Sequence, residues 1–456
     1  MDIITRLNEN SAKLNGVKKS VNAFVEALTD KKSFVEMGVF TSGTTFADGV
    51  CAEGEGVVTG YAAISGIPVY LFVQNFEAMR GSFSLAQAKK IENCMNMAAK
   101  SGIPFISIID SAGARLSEGV GVLEGYSKII KLASALKNQV PHIAVIKGAC
   151  AGHMSAYACT ADVVLFDEKG YMSLTSPSVV AAKADKKQDV IKLFGAENAM
   201  KSGVASLSYK TAAQLKGYIA EILRHLGDER EDGENPNRTA KGLSENISDE
   251  NLLAAVCDKG KYIELSSGFG KVRTVLTRMN GRPTGIISAS DKLTAEDFIK
   301  IQKFIKLTDG YYLPLITLVN SDGAADLFED EQKGISALAA EAFTAVSLSD
   351  NPKIAVITGT ATGLSYSLLA SKGAGFDYSL AFAGAAIAPL SAETAVNFFD
   401  VELKTKNPVG EREKLIAAYT EREGNPFLSA KDGYVDNIIN PDDVRPYLCS
   451  VLSSLS

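Results

Sequence analysis

From Leu85 to Lys100, apolar residues return at helical spacing, with Ala86, Ile91, Cys94, Met95 and Ala98 toward one side. Next, Pro104 to Ile109 is an almost unbroken apolar run, the pattern of a strand covered on both faces. Upstream, Val57 to Gly60 and Pro68 to Val73 are short β-rich runs flanking a turn at Ser65-Gly66-Ile67-Pro68. Downstream come a helical run from Leu123 to Leu136 and a second buried strand from Ile143 to Ile146. A glycine turn, an apolar helix from Met154 to Cys159 and a strand from Val163 to Phe166 follow. Strands alternating with helices predict an α/β fold. The uncharged stretch from Ile354 to Ser371 raises the question of a membrane span. Its Gly, Thr and Ser content is wrong for one, and a buried strand, a turn and a buried helix account for it better.

The pattern is written twice. Asp30-Lys-Lys-Ser-Phe-Val-Glu36 matches Asp258-Lys-Gly-Lys-Tyr-Ile-Glu264, and Ile64-Ser-Gly-Ile-Pro68 matches Met279-Asn-Gly-Arg-Pro283. The run from Gly102 to Ala114 matches Tyr312 to Ala324, with the order preserved. Pro141 to Gly152 matches Pro352 to Gly363 with seven of twelve positions identical. Self-similarity at near-constant spacing is the signature of a duplicated unit. The charged, Gly- and Pro-containing stretch from Gly227 to Arg238 reads as a linker. The expected organisation is residues 1–226, a linker over 227–250, and a second copy over 251–456.

Composition narrows the chemistry. The chain has 456 residues and a net charge of −6, without the basic surface of a nucleic-acid protein. Three histidines, His142, His153 and His225, leave no multi-His metal site, so no metal is expected. The six cysteines show no C-x-x-C pair, and a reducing compartment is the default. Met1 to Asn10 is polar where a secretory leader needs an apolar core, so a cytoplasmic protein is expected, at most peripheral to a membrane complex.

Each copy contains two junctions where a buried strand runs through a glycine turn into a helix. They are Ser111–Ala114 and Gly148–His153 in the first copy, Ser321–Ala324 and Gly359–Ser365 in the second. Backbone N–H groups are left unpaired at such junctions, and two from separate loops can stabilise a developing oxyanion. Tight strand–helix packing is the alternative. Gly54 to Gly60 and Gly119 to Gly125 lack G-x-G-x-x-G spacing, and no phosphate-binding or G-x-S-x-G motif occurs.

The segment Ile108-Ile-Asp-Ser-Ala-Gly-Ala-Arg-Leu-Ser-Glu-Gly119 resembles the S-G-G-A-R-[IL]-x-E-G segment of acyl-CoA carboxyltransferases. Glu55-Gly-Val-Val-Thr-Gly60 resembles their G-x-V-V-T-G strand. Gln74-Asn-Phe76 with Arg80-Gly81-Ser82 resembles their Q-D-F…G-G-S, and Lys147-Gly-Ala-Cys-Ala-Gly152 their G-P-C-A-G-G helix entry. The resemblance covers nearly the whole chain. It implies two tandem crotonase-like (ββα-spiral) domains, the first on the acyl-CoA side and the second on the biotin side. It implies carboxyl transfer between carboxybiotin, carried on a separate biotin carboxyl carrier protein, and the α-carbon of a short acyl-CoA through a thioester enolate. Partners implied are a biotin carboxylase or a membrane decarboxylase subunit, with a dimer-based homo-oligomer such as a hexamer. The zinc ribbon of one bacterial branch is absent.

By position, Ala112 and Gly113 would hold the thioester oxygen, Gly152 and His153 would shape that site, and Gly363, Leu364 and Ser365 would meet the biotin ureido carbonyl. Arg80, Gly81, Ser82, Arg115 and Lys147 would serve substrate binding. Arg80 would reach a CoA phosphate or an acidic acyl group, or make a surface salt bridge. Arg115 would support its loop through Glu118 or Glu124, and Lys147 would meet a CoA phosphate or solvent. Ala112, His153 and Arg80 each stand where the family has Gly. In the second copy, Val319-Asn-Ser-Asp-Gly-Ala-Ala325 replaces V-D-V-P-G-F, and Gly359-Thr-Ala-Thr-Gly-Leu-Ser365 replaces R-K-A-F-G-G-A. Two other functions stay open: a stand-alone crotonase-like hydratase or hydrolase, and a non-catalytic scaffold subunit.

Overall fold

A computed structural model describes residues 2–42, 53–183, 189–227, 230–398 and 408–455. Cys51 and residues 228–229 of the expected linker lie outside them. The chain divides into two compact units, Met1–Leu223 and Arg224–Ser456.

The strands of the first unit are β1 Val35–Met37, β2 Val57–Ile64, β3 Ile67–Gln74, β4 Phe105–Ser111, β5 His142–Ala151, β6 Val163–Asp167, β7 Tyr171–Ser173 and β8 Leu207–Tyr209. They form one sheet in the order β1-β2-β3-β4-β5-β6-β8, with β7 on β5. The first three strands pair antiparallel and the rest parallel. The strands of the second unit are β9 Tyr262–Leu265, β10 Arg273–Met279, β11 Arg282–Ala289, β12 Leu315–Asp322, β13 Lys353–Thr362, β14 Tyr378–Phe382, β15 Ala386–Ala388 and β16 Asn437–Ile439. Their order, β16-β14-β13-β12-β11-β10-β9 with β15 on β13, repeats the first sheet strand for strand. Both sheets are mixed, which fits the α/β expectation and the crotonase-like fold.

The expected helices and strands form, with modest changes at their ends. Leu85–Ser101 is a helix capped by the Ser84 hydroxyl, and Ala86, Ile91, Cys94, Met95 and Ala98 are all buried. The turn between β2 and β3 is tighter than the sequence suggests. Ser65 and Gly66 alone make it, both at positive φ, while Ile67 and Pro68 already belong to the strand. That is a two-residue hairpin turn, favoured because its twist matches that of the strands. The uncharged stretch after Ile354 is strand β13 running straight into the helix Gly363–Leu369. No helix among the described residues is long and apolar enough to cross a membrane.

The segment expected to link the copies packs within the second unit. Glu231 N–H donates to the Gly281 carbonyl, and the Arg445 guanidinium reaches the carbonyls of Glu234 and Asn235. Its polar composition signals irregular backbone, and polar irregular backbone can still be anchored.

Candidate active site

Parallel strands β4 and β5 lose register between Ile109 and Ser111, so β5 bulges at Lys147 and Gly148. The Asp110 carboxylate fills that bulge. Its Oδ1 accepts Ala149 N–H at 3.1 Å, and its Oδ2 pairs with Lys147 Nζ at 2.8 Å. Gly148 is required here, because a Cβ would collide with Asp110 Oδ1. Lys147 also stands 5.5 Å from the Phe24 ring centre and stays partly exposed.

The loop after β4 is pinned by backbone bonds. Phe83 N–H donates to the Gly113 carbonyl, and Arg115 N–H to the Phe83 carbonyl, both at 2.8 Å. Ala112 N–H donates to the Arg80 carbonyl at 3.0 Å. This corrects the expected donor set, because a committed Ala112 N–H is not available to a thioester. Gly113 N–H meets only the Ser111 hydroxyl, at 3.2 Å, in a long bond that a stronger acceptor could displace. Gly113 sits at φ +123, and a Cβ there would meet nothing within 4 Å, so its open side faces free space.

The loop after β5 behaves alike. Gly152 N–H donates to the Ser173 carbonyl of β7 at 2.9 Å, which removes Gly152 as a donor. His153 opens the helix His153–Ala158, and among the described residues its N–H meets no acceptor. Gly113 and His153 are therefore donors that the cross-loop bonds leave at the ends of β4 and β5, and Met154 N–H, next in the helix, also meets no acceptor among the described residues. The His153 ring is exposed and stacks on Tyr126 at 4.9 Å, and Tyr126 in turn stacks on Phe83 at 4.0 Å.

Arg115 is buried and pairs with Glu55 at 2.5 Å and with Glu118 at 3.7 Å. Glu118 is one of its two expected partners; Glu124 is not a partner among the described residues. Glu55, fully buried and also bonded by the Ser84 hydroxyl at 3.1 Å, is the residue that sequence reasoning missed. Its only signal was a carboxylate inside an otherwise glycine-rich and apolar stretch. A buried pair of this kind fixes geometry, since removing either partner strands a charge. Gly81 packs against Asp110, where a Cβ would collide with the carbonyl oxygen. The Ser82 hydroxyl is buried without a hydrogen-bond partner among the described residues.

The second unit repeats the frame with other groups. Asn320 Oδ1 accepts Thr360 N–H at 2.8 Å and occupies the space that a Cβ at Gly359 would need. Gly323 N–H donates to the Ser365 hydroxyl at 3.2 Å, and that hydroxyl lies 2.6 Å from the Ser321 carbonyl. Gly363 stands at φ +48 and opens the helix, with Leu364 half-buried after it. Beside them is a cleft of about 190 Å³ lined by Asp322, Thr360, Thr362, Ser391, Glu393 and Tyr419, among others. No cluster of His, Cys, Asp or Glu among the described residues could hold a metal.

Two units of one topology, each with a bulged central strand pair and a glycine turn into a helix, define the crotonase-like class. Comparison with known proteins takes this further. The carboxyl transferase domain model matches residues 18–456. The propionyl-CoA carboxylase beta chain of Roseobacter denitrificans is 29% identical over 100% of this chain and 96% of its own length. The methylmalonyl-CoA carboxyltransferase 12S subunit of Propionibacterium freudenreichii subsp. shermanii is 30% identical over 95% of this chain and 88% of its own. A transcarboxylase 12S crystal structure with methylmalonyl-CoA and methylmalonic acid bound superposes with a TM-score of 0.91, at 28% identity, over 100% of this chain and 96% of the other. The chain belongs to the carboxyl transferase family, and it is a carboxyltransferase of the biotin-dependent kind.

Proposed function

We propose that this protein moves a carboxyl group between carboxybiotin on a separate carrier protein and the α-carbon of a short acyl-CoA. The observation that carries the reading is a pair of donors at the ends of neighbouring parallel strands: Gly113 N–H, held only by the Ser111 hydroxyl, and His153 N–H, without an acceptor among the described residues. A thioester oxygen placed between them would gain negative charge as its α-carbon becomes an enolate, and each donor would then bind more strongly than in the ground state. Removal of one such donor in other enzymes costs about 2.7–4 kcal/mol of transition-state stabilisation.

In the second unit the groups around Gly363, Leu364 and Ser365 fit a ureido ring, which offers one carbonyl oxygen and two N–H groups. Leu364 N–H and the Thr360 hydroxyl would face the carbonyl, and Asp322, which already accepts the Thr362 hydroxyl at 2.6 Å, would accept an N–H. Biotin, when bound there, supplies the carboxyl group and the base for the α-proton. What remains for the protein's own residues is to hold the thioester, orient its α-carbon and exclude water. That division accounts for a site with so few titratable side chains.

The 12S relative is described as a hexamer, and we propose a dimer-based homo-oligomer for this chain too. A biotin carboxylase or a membrane decarboxylase subunit would complete the complex. A monomer with full transfer activity would overturn that part.

The test is a mass-detected transfer assay with free biotin and a panel of acyl-CoA esters, methylmalonyl-CoA included. Wild type is expected to move the carboxyl group. Gly113→Val, which forces a branched residue to φ +123 and crowds the site, is expected to lose at least about 100-fold in turnover and some stability, so its melting temperature is measured alongside. Unchanged turnover in that variant would refute the oxyanion assignment. Absence of biotin-dependent transfer with CoA binding retained would favour a scaffold subunit.

A further inference from the structure

We propose that Arg80 is a specificity residue that binds a carboxylate at the far end of the acyl group, so that the preferred substrates are CoA esters of dicarboxylic acids. The proposal rests on the acyl-CoA reading above.

The first support is backbone strain kept without a packing reason. Met79, Arg80 and Gly81 are consecutive residues at positive φ, 51°, 56° and 63°. Gly81 must be glycine, because the Asp110 carbonyl leaves no room for a Cβ. At Arg80, glycine would relieve the strain, yet the chain carries a long cationic side chain. Met79 shares this conformation, so the turn as a whole sets it; Arg80 is kept there although glycine would fit at lower cost.

The second support is charge. The neighbouring cations are neutralised: Lys147 by Asp110 at 2.8 Å and Arg115 by Glu55 at 2.5 Å. Arg80 pairs with no carboxylate among the described residues. Its guanidinium lies 5.8 Å from the Phe76 ring centre. A guanidinium stacked on a ring keeps its in-plane N–H donors directed outward, arranged to receive a carboxylate in bidentate fashion.

The third support is place. The Arg80 carbonyl accepts Ala112 N–H, which ties this turn to the loop that carries Gly113. Burial pushes the Tyr171 phenol up, and the Arg80 charge acts on that same phenol in the opposite sense. Tyr171 pairs with Ala149 on β5, beside the bulge. The Arg80 backbone thus lies against the loop that carries Gly113, and its exposed side chain is free to extend from there.

The carboxyl group being transferred is a poor partner for Arg80. A guanidinium on a departing carboxylate would stabilise the starting state more than the transition state and would slow the reaction. A second, retained carboxylate has no such conflict. A CoA phosphate offers similar anionic chemistry, and the test separates the two.

Dissociation constants of the purified full-length protein would be measured for succinyl-CoA, butyryl-CoA, CoA and 3′-dephospho-CoA. Succinyl-CoA is expected to bind about tenfold more tightly than butyryl-CoA, the size of one charge-assisted pair. Arg80→Gly is expected to erase that preference and leave butyryl-CoA binding and the CoA to dephospho-CoA ratio unchanged. Arg80→Lys should keep part of the preference. Arg80→Gly should melt no lower than wild type, since glycine tolerates the local φ. Absence of the preference in wild type, or its survival in Arg80→Gly, would overturn the proposal. So would equal weakening of both esters with collapse of the CoA to dephospho-CoA ratio, which would put Arg80 on the phosphate. If no CoA ester bound at all, the acyl-CoA reading itself would fall.

Discussion

Asp30 and Asp258 hold the same turn in the two units by different means. Asp30 accepts Ser65 N–H and Gly66 N–H at 3.0 and 2.7 Å; Asp258 accepts Asn280 N–H and Gly281 N–H at 2.9 and 2.7 Å. Behind Asp30 is Lys216, at 2.8 Å and in contact with water. Behind Asp258 is Arg445, fully buried at 2.5 Å, whose other donors go to the carbonyls of Val256, Glu234 and Asn235. The scaffold is copied down to single hydrogen bonds, and each copy has found its own counter-charge. Backbone geometry restricts a turn to few solutions, whereas a carboxylate accepts any cation that reaches it.

This difference predicts the largest effect. Arg445→Ala strands a half-buried carboxylate and three carbonyls, and it should cost the second unit about 3–5 kcal/mol. Lys216→Ala removes a solvent-screened pair and should cost the first unit at most about 1 kcal/mol. Hydrogen exchange read on peptides around Gly281 and Gly66 would report the two units separately. Equal losses would mean that the units depend on each other more than their separate cores suggest.

The next contrast is at the start of the central strand, where His142 in the first unit corresponds to Lys353 in the second. His142 is buried with Nε2 2.8 Å from the Ser107 hydroxyl, and burial, helped by the Lys137 charge, holds its pKa down to about 3. The unfolded chain takes up a proton on this ring near pH 6.5, and the folded one does not until about pH 3. The neutral ring therefore contributes full stability above about pH 6.5, and that contribution is lost progressively as the pH falls toward 3. Lys353 points its ammonium at the carbonyls of Ser349 and Asn351. The protection factor near Ile143, taken relative to the intrinsic exchange rate at each pH, should fall between about pH 6.5 and 4, and His142→Gln should flatten that dependence. His225, held down to about 4 mainly by burial, adds a weaker acid sensitivity to the second unit.

What the chain discloses in advance follows the same division. The duplication was legible because the strands are apolar and the turns need Gly or Pro, and both leave their mark in residue type. The helices and strands around the site were legible for the same reason. The donors were half legible. Ser111–Ala114 and Gly148–His153 were the right loops. Which N–H in each loop is left over depends on cross-loop bonds, Ala112 to Arg80 and Gly152 to Ser173, that no spacing encodes. Glu55 was hidden because its partner lies sixty residues away, as Arg115, across the sheet. For the expected linker, charge and proline signal irregular backbone and do not say whether it is anchored.

The two sites differ most at one hydroxyl. In the first unit Gly113 N–H rests on Ser111; in the second, the corresponding Gly323 N–H has moved to Ser365, and the buried Ser321 hydroxyl has no partner among the described residues. Ser365 corresponds to Met154, so the change came from the helix and not from the loop. Ser365→Ala should cost the second unit about 1 kcal/mol, the net value of an ordinary hydrogen bond. It should also pass Gly323 N–H to Ser321, as in the first unit. A lasting loss of protection at the Gly323 amide would show that its N–H has not passed to the Ser321 hydroxyl and that the two loops are not interchangeable.

The smallest effect tests whether the bulge needs a charge or only an acceptor. Asp110 and Asn320 both receive the N–H across the bulge, so an amide oxygen suffices for that bond. Asp110→Asn keeps it and loses only the attraction to Lys147, a partly exposed pair. The cost should be about 1 kcal/mol or less. Asn320→Asp adds a charge at an exposed position and should stay within about 0.5 kcal/mol of wild type. The informative reading is turnover, because Lys147 would be released from its partner near the proposed acyl site. If Asp110→Asn loses stability as expected and keeps its turnover, the ion pair serves the bulge alone. If turnover falls far beyond the stability loss, the pair also holds the strand ends at the spacing that Gly113 and His153 need. The first unit would then depend on a charge that the second has given up.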